Sequence, residues 1–367
     1  MPGPCPLPDS VREAVGGAMI NPRGPEFAEL LAECISGLKQ WLSSDIDILL
    51  MSASGTGALE GAVANLLNPN DQALFCTMGW FGELWARIAL AYGVDVVRLD
   101  AEWGHAIDPA ALADALERHP RVGTVFLTHN ETSTGVRNEL TPLAAIVKER
   151  GRLLAIDSIS GAPAHPLDIE ALGADVVVFA SQKGWLAPPG LAMTAVSPDA
   201  LHAAAHSTSP RVYFDFALQK RQQERGLTHT TPPLPAMYGL REGLALLRAE
   251  GREAVWERHG RNAARIRAGL AALGLEPVAR GGPLSEIVTA VYSPFASAPE
   301  LGAFLARLKN RYGVVVADGV GPLHGRAFRV GHLGALTDHD VSCLLERLED
   351  ALNDFGLGGC SDTTLAA

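Results

Sequence analysis

The chain has 367 residues, 47% of them hydrophobic and 19% charged, with a formal net charge of −11. That length can hold one large α/β domain and a smaller companion, with a core that needs no disulfide support. The interspersed acidic excess argues against nucleic acid as the main partner, because phosphate-backbone binding requires clustered Lys and Arg. Cys5, Cys34, Cys76, Cys343 and Cys360 are scattered, with no C-x-x-C spacing to suggest zinc or a redox pair. Reduced, mostly buried thiols are therefore expected. No apolar run reaches the ~18 residues of a membrane helix. Met1-Pro2-Gly3-Pro4 also lacks the basic and apolar stretches of a signal peptide, so the expectation is a soluble, cytoplasmic protein.

Between about Asp45 and Val196 short apolar runs alternate with amphipathic patterns, which predicts a mainly parallel seven-stranded sheet wrapped by helices. The first strand, near 47–51, leads through Ser52-Ala53-Ser54-Gly55-Thr56-Gly57 into a helix over 56–67. Small residues opening a helix leave backbone N–H groups free to hold a phosphate at the positive end of the dipole. The plain alternative is an ordinary capped helix start. Strands near 72–76 and 94–99 flank a helix over 80–92 that opens with Trp80-Phe81-Gly82, and a helix over 108–118 follows. A strand near 122–128 runs into Thr128-His129-Asn130-Glu131-Thr132-Ser133-Thr134-Gly135, then a helix over 141–150. There His129 reads as a structural histidine rather than a general base.

The next strand, near 152–156, ends in Asp157-Ser158. An aspartate at the end of a buried strand is costly without a cationic or hydrogen-bonding partner, and a protonated pyridine nitrogen is such a partner. The run Asp175-Val176-Val177-Val178-Phe179-Ala180 is continuous and apolar, as in the middle of a parallel sheet, and opens into Ser181-Gln182-Lys183-Gly184. A lysine at the carboxyl end of such a strand points into the crevice where α/β proteins place ligands. Desolvated there, its amine can attack a carbonyl. A strand near 191–196 completes the sheet.

A polar linking segment, Gln219 to Thr231, precedes Pro232-Pro233-Leu234-Pro235, whose prolines break regular structure. A long helix from about Ala236 through Leu270 follows, interrupted near Gly251. Strand-like Ile287–Tyr292, a helix near 298–311, strand-like Val314–Ala317 and Ala327–Val330, and a helix near 337–354 then make a smaller α+β domain. The expected boundaries are an N-terminal segment, 1–20, serving the site and the small domain; a large domain, 21–235; a small domain, 236–357; and a disordered tail, 358–367.

Three strand ends thus offer a phosphate cradle, a carboxylate for a ring nitrogen and an amine for an aldehyde, the three fixed points of pyridoxal 5′-phosphate. In order and spacing these motifs resemble the class V, fold-type I pyridoxal-phosphate aminotransferases. Within that family the alanine–glyoxylate and serine–glyoxylate (serine–pyruvate) group is the most similar. The similarity runs from Pro2-Gly3-Pro4 to Arg329-Val330-Gly331-His332-Leu333-Gly334. It implies that Lys183 holds the cofactor as an internal aldimine and shuttles the substrate proton, while Asp157 keeps the ring nitrogen protonated. It further implies phosphate donors in Ser54, Gly55, Thr56 and Gln182, a ring stacked on Phe81 with Trp80 beside it, and Ser133 reaching the phenolic oxygen. Arg329 and Gly3 would bind substrate, Arg329 as the clamp for the α-carboxylate. The resemblance also implies a homodimer in which Thr230 reaches the neighbour's phosphate, although Leu227 stands where the family has a tyrosine. No metal is expected.

The implied reaction moves an amino group from alanine, serine or aspartate to glyoxylate or pyruvate by ping-pong half-reactions. A 2-aminoethylphosphonate or ureidoglycine transaminase, or a lyase using the same cofactor, is the alternative. Cysteine desulfurases need a nucleophilic cysteine ahead of the carboxylate-binding arginine, and no cysteine lies between Cys76 and Cys343. A binding protein without turnover is disfavoured, because every cofactor-contacting position carries a competent residue.

Overall fold

The computed structural model describes residues 1–357; the expected disordered tail lies outside them. The central sheet is built from β1 (Asp47–Ala53), β2 (Gln72–Thr77), β3 (Asp95–Asp100), β4 (Thr124–Thr128), β7 (Leu153–Asp157), β8 (Val176–Ala180) and β9 (Gly190–Val196). Between β4 and β7 the chain forms a small hairpin, β5 (Asn130–Glu131) and β6 (Val136–Arg137). The sheet order is β1-β9-β8-β7-β4-β2-β3, and only β9 runs against the rest. Six strands therefore deliver their carboxyl ends to one edge.

Alternate residues along these strands feed two cores, because successive side chains leave a strand on opposite faces. Leu74, Leu127, Ile156 and Phe179 join the core on one side, with the helices Pro25–Leu42 and Leu234–Glu250. Phe75, Phe126, Ala155 and Val178 join the core on the other, under Gly55–Leu66 and Trp80–Ala91. There Phe75 and Phe126 stack at 4.3 Å with Trp85 edge-on. The Pro25–Leu42 helix, which is not among the expected elements, buries Phe27, Leu30, Leu31, Cys34, Leu38, Trp41 and Leu42 at a helical period.

A correction concerns the polar link. Part of it is the helix Phe216–Gln223, and its glutamines cover the sheet's edge strand. The Leu50 N–H donates to Gln223 Oε1 at 2.7 Å, while Gln219 Nε2 donates to the Leu50 carbonyl and Gln223 Nε2 to that of Ile48, each at 2.7 Å. Side-chain amides thus satisfy backbone groups that an exposed edge would leave open.

The interruption at Gly251 is real: with φ 88° it separates Leu234–Glu250 from Arg252–Ala272. Beyond them β10 (Val288–Tyr292), β11 (Ala317–Asp318) and β12 (Ala327–Gly331) form an antiparallel sheet in the order β10-β12-β11. It packs Phe328 and Val330 against Ile266, Phe304 and Leu348 of the helices Arg252–Ala272, Ala298–Tyr312 and Asp338–Asn353. The expected strand at Val314–Ala317 is reduced to Ala317–Asp318.

Candidate active site

The shared strand direction decides where the polar residues meet. Ser54 follows β1, Asn130 follows β4, Asp157 ends β7, and Gln182 and Lys183 follow β8. All five line one cavity of about 150 Å³, together with Gly55, Thr56, Phe81, Thr132, Ile159 and Ser160. Its position outside the carboxyl ends of a parallel sheet is the usual one for ligands in open α/β folds.

One wall is the N-terminus of the helix Gly55–Leu66. Ser54 occupies the cap position with extended backbone and makes no side-chain cap, so the first N–H groups of the helix remain open. At Gly55 a methyl would lie 2.7 Å from Ile159 Cδ1, so a larger residue would have to displace that side chain. Opposite, Asp157 is buried and accepts from the Ile159 N–H at 2.9 Å. Burial first, and the nearby Glu131 charge, push its carboxyl up to about 7, against the pull of the Ile159 bond and of Lys183. Lys183 is half-buried, and its amine donates to the Pro2 carbonyl at 2.7 Å. Desolvation and the neighbouring Arg329 draw it down to about 8.

The N-terminal segment crosses this edge. Gly3, at φ +131°, passes so close to Lys183 that a Cβ would overlap the amine and lie 2.7 Å from Cδ. The Cys5 N–H continues the contact, donating to the Gln182 carbonyl at 3.0 Å. On the other side Arg329 of β12 is buried, with Nε donating to the Asp318 carbonyl at 2.9 Å and Nη1 to that of Thr132 at 3.4 Å.

Ser133 is placed differently from the expectation. It is not on the cavity wall, since its hydroxyl donates to Glu131 Oε1 at 2.7 Å and accepts from the Trp80 N–H at 3.1 Å. Asn130 and Thr132 lie on the wall instead, while the Ser133 hydroxyl faces the opening of the helix Trp80–Ala91. Thr230 does not line this cavity; its carbonyl accepts from the Thr228 hydroxyl at 2.7 Å. His129 is structural: it is buried, its Nδ1 pairs with the Ser158 hydroxyl at 3.0 Å, and desolvation pulls it down to about 3. Asn130, Thr132 and Ser160 were missed as site residues, although Asn130 and Thr132 lie inside the quoted motif. Glu131 was missed as well.

A family model described as aminotransferase class-V matches residues 13–319. The "soluble hydrogenase 42 kDa subunit" of Anabaena cylindrica is 35% identical over 359 residues, spanning 97% of this chain and 93% of that protein. The L-aspartate–glyoxylate aminotransferase of Paracoccus denitrificans is 31% identical over 363 residues, spanning 97% and 91%. The crystal structure of an alanine–glyoxylate aminotransferase from Nostoc sp. superposes with a TM-score of 0.90 at 30% identity, covering 96% of this chain and 94% of that one. The hydrogenase name finds no counterpart in the donor set. Among the described residues no three His, Cys, Asp or Glu side chains group as a metal would need. With the family model spanning most of its length, and relatives at or above 30% identity along nearly all of it, the chain belongs to the class-V aminotransferases, in the fold-type I architecture.

Proposed function

We propose that this enzyme moves the amino group of a small amino acid to a small 2-oxo acid, with glyoxylate the preferred acceptor, using pyridoxal 5′-phosphate. The observation that carries the reading is the meeting of an uncapped helix N-terminus, a buried carboxylate and a depressed lysine amine on one cavity. These groups suit a phosphorylated pyridine aldehyde. The buried side-chain oxygens of Gln182 and Asn130 support the fit, having no partner among the described residues. Ser54, Gly55, Thr56 and Gln182 would hold the phosphate, Asp157 the ring nitrogen, Phe81 a ring face and Lys183 the aldehyde carbon. Glyoxylate is favoured because the aspartate- and alanine-dependent relatives share it while their donors differ.

When bound, the cofactor supplies an electron sink for the pair left by Cα deprotonation and a carbon that carries the amino group between substrates. The chain does the rest. Arg329 grips the α-carboxylate and so orients the Cα–H, since a guanidinium fork fits a carboxylate bidentately. Lys183 Nζ, neutral in appreciable fraction near pH 8, would take the proton from Cα and pass it to the cofactor carbon that carries the amino group. Asp157, ionised against a cationic ring, keeps the pyridine nitrogen protonated. The strap Pro2-Gly3 closes the Lys183 side of the site. Thr230 would complete the phosphate site of a second subunit in a homodimer.

The test is a half-reaction screen: cofactor-loaded protein is mixed with single amino acids and the cofactor absorbance is followed. Alanine, serine or aspartate should convert it, and glyoxylate should reverse the change. Conversion by 2-aminoethylphosphonate alone would replace this reading with the phosphonate one.

Two expectations follow from the geometry. Arg329→Leu should raise KM about ten- to a hundred-fold for the amino acid and the oxo acid alike, because both lose the same charge-assisted pair. A rise for one substrate only would move Arg329 to a side-chain contact. The rate at which borohydride traps added cofactor on the cofactor-free protein should climb with pH through a midpoint near 8, where the neutral Lys183 amine accumulates. A midpoint above 10 would show the amine to be solvated.

A further inference from the structure

Glu131 carries no role in the reaction described so far, yet its carboxylate is fully buried and ties together four groups around the cavity. Oε2 accepts from the N–H of Phe81 at 3.0 Å and of Gly82 at 3.2 Å, the opening of the helix Trp80–Ala91. Oε1 accepts from the Ser133 N–H at 3.0 Å and its hydroxyl at 2.7 Å. The three backbone N–H groups can only donate, and the Ser133 hydroxyl, which accepts from the Trp80 N–H, is placed to donate as well. These contacts favour the ionised form, while burial is the larger influence and holds the carboxyl above its usual range.

The two ends of this clamp carry different parts of the site. The Phe81 ring lines the cavity from the helix side, and Thr132, between Glu131 and Ser133, lines it from the hairpin side. The carbonyl of Thr132 also receives Arg329 Nη1, so the hairpin turn is a support for the arginine. The backbone leaves room for the clamp at Gly79, where a methyl would overlap the Ser133 hydroxyl and lie 2.6 Å from Glu131 Cγ.

We infer that Glu131 is a positioning residue of the transamination site, one carboxylate that sets both the ring-facing Phe81 and the Thr132–Arg329 support. This rests on the cofactor reading above. Its role needs an acceptor with two equivalent oxygens. Glutamine has the same shape but one acceptor oxygen and an NH2 group, so in either orientation it turns donors towards donors and loses one end of the clamp.

The experiment compares wild type, Glu131→Gln and Ser133→Ala, loaded with pyridoxal phosphate. Cofactor dissociation constant, visible circular dichroism of the bound cofactor, and KM and kcat for both substrates are measured. Glu131→Gln should weaken cofactor affinity and raise both KM values by about ten-fold or more, with an altered dichroic band. Ser133→Ala, which removes the hydroxyl's bonds to Glu131 and to the Trp80 N–H but keeps the Ser133 N–H bond, should change the same quantities in the same direction by less. Should Glu131→Gln not fold, Ser133→Ala decides alone: shifted affinity, dichroism and KM support the role, and wild-type values overturn it. A Glu131→Gln enzyme that loses only thermal stability, with affinity, dichroism and KM unchanged, also overturns it. Failure of the wild-type protein to bind the cofactor would instead overturn the functional reading beneath.

Discussion

Lys183→Ala is expected to leave a folded protein that forms no covalent adduct with pyridoxal phosphate and has lost about 10²–10⁴-fold or more in turnover, the range for removing a general acid–base group. Among the described residues the lysine is also the only amine on the cavity wall, so the same substitution removes the nucleophile. Folding should survive because the Lys183 side chain makes a single hydrogen bond, to the Pro2 carbonyl, and the adjacent turn is held independently by Trp185 and Leu186 in the core. Reduction with borohydride followed by peptide mapping checks the assignment. Label recovered on another lysine at wild-type yield would transfer the role there. Loss of the label together with loss of secondary structure would show that the Pro2 contact matters for folding.

The legible parts of this molecule are those whose signal is local. Central parallel strands are buried on both faces and read as unbroken apolar runs, so Val176–Ala180 and the strand ending at Asp157 could be found, and with them the edge at which their following residues meet. The break at Gly251 was equally local, since a left-handed backbone favours glycine. The helix Pro25–Leu42 carries an equally readable apolar period. Other features had no local signal. The Pro2 carbonyl meets an amine 181 residues away, and the Gln219 and Gln223 amides look like those of any polar segment until β1 is known to be an edge. Ser133 was displaced from the wall by a turn of two-residue strands, too short for alternation to be counted. Glu131 shows why a buried charge escapes sequence reading: its four partners lie in two segments, and neither segment alone asks for a carboxylate.

Asp157→Asn should act with opposite signs on the two forms of the protein. In the cofactor-free chain the carboxyl is raised from 3.8 to about 7, chiefly by burial, so the protonated acid is the form the fold prefers. The stability this group contributes is complete below about pH 4 and is lost as pH rises through 7, because the unfolded chain releases the proton more readily. Asparagine is neutral throughout. The cofactor-free variant should therefore match wild type below pH 4 and exceed it at pH 8, with an upper bound of about 4 kcal/mol. With cofactor the order reverses, since a cationic ring nitrogen is what the carboxylate lacks and the amide cannot hold its proton. Losing that charge-assisted bond costs about 1.5–3 kcal/mol, roughly ten- to a hundred-fold in rate. Denaturant unfolding of both cofactor-free proteins at several pH values, with turnover of the loaded enzymes, measures the two effects separately. Equal unfolding free energies at pH 8 would mean that water reaches the carboxyl in the empty cavity. Wild-type turnover would detach Asp157 from the ring nitrogen. The predicted crossing, a variant more stable when empty and slower when loaded, is what a buried charge kept for binding should produce, because the same desolvation that weakens the fold strengthens the pair once its partner arrives.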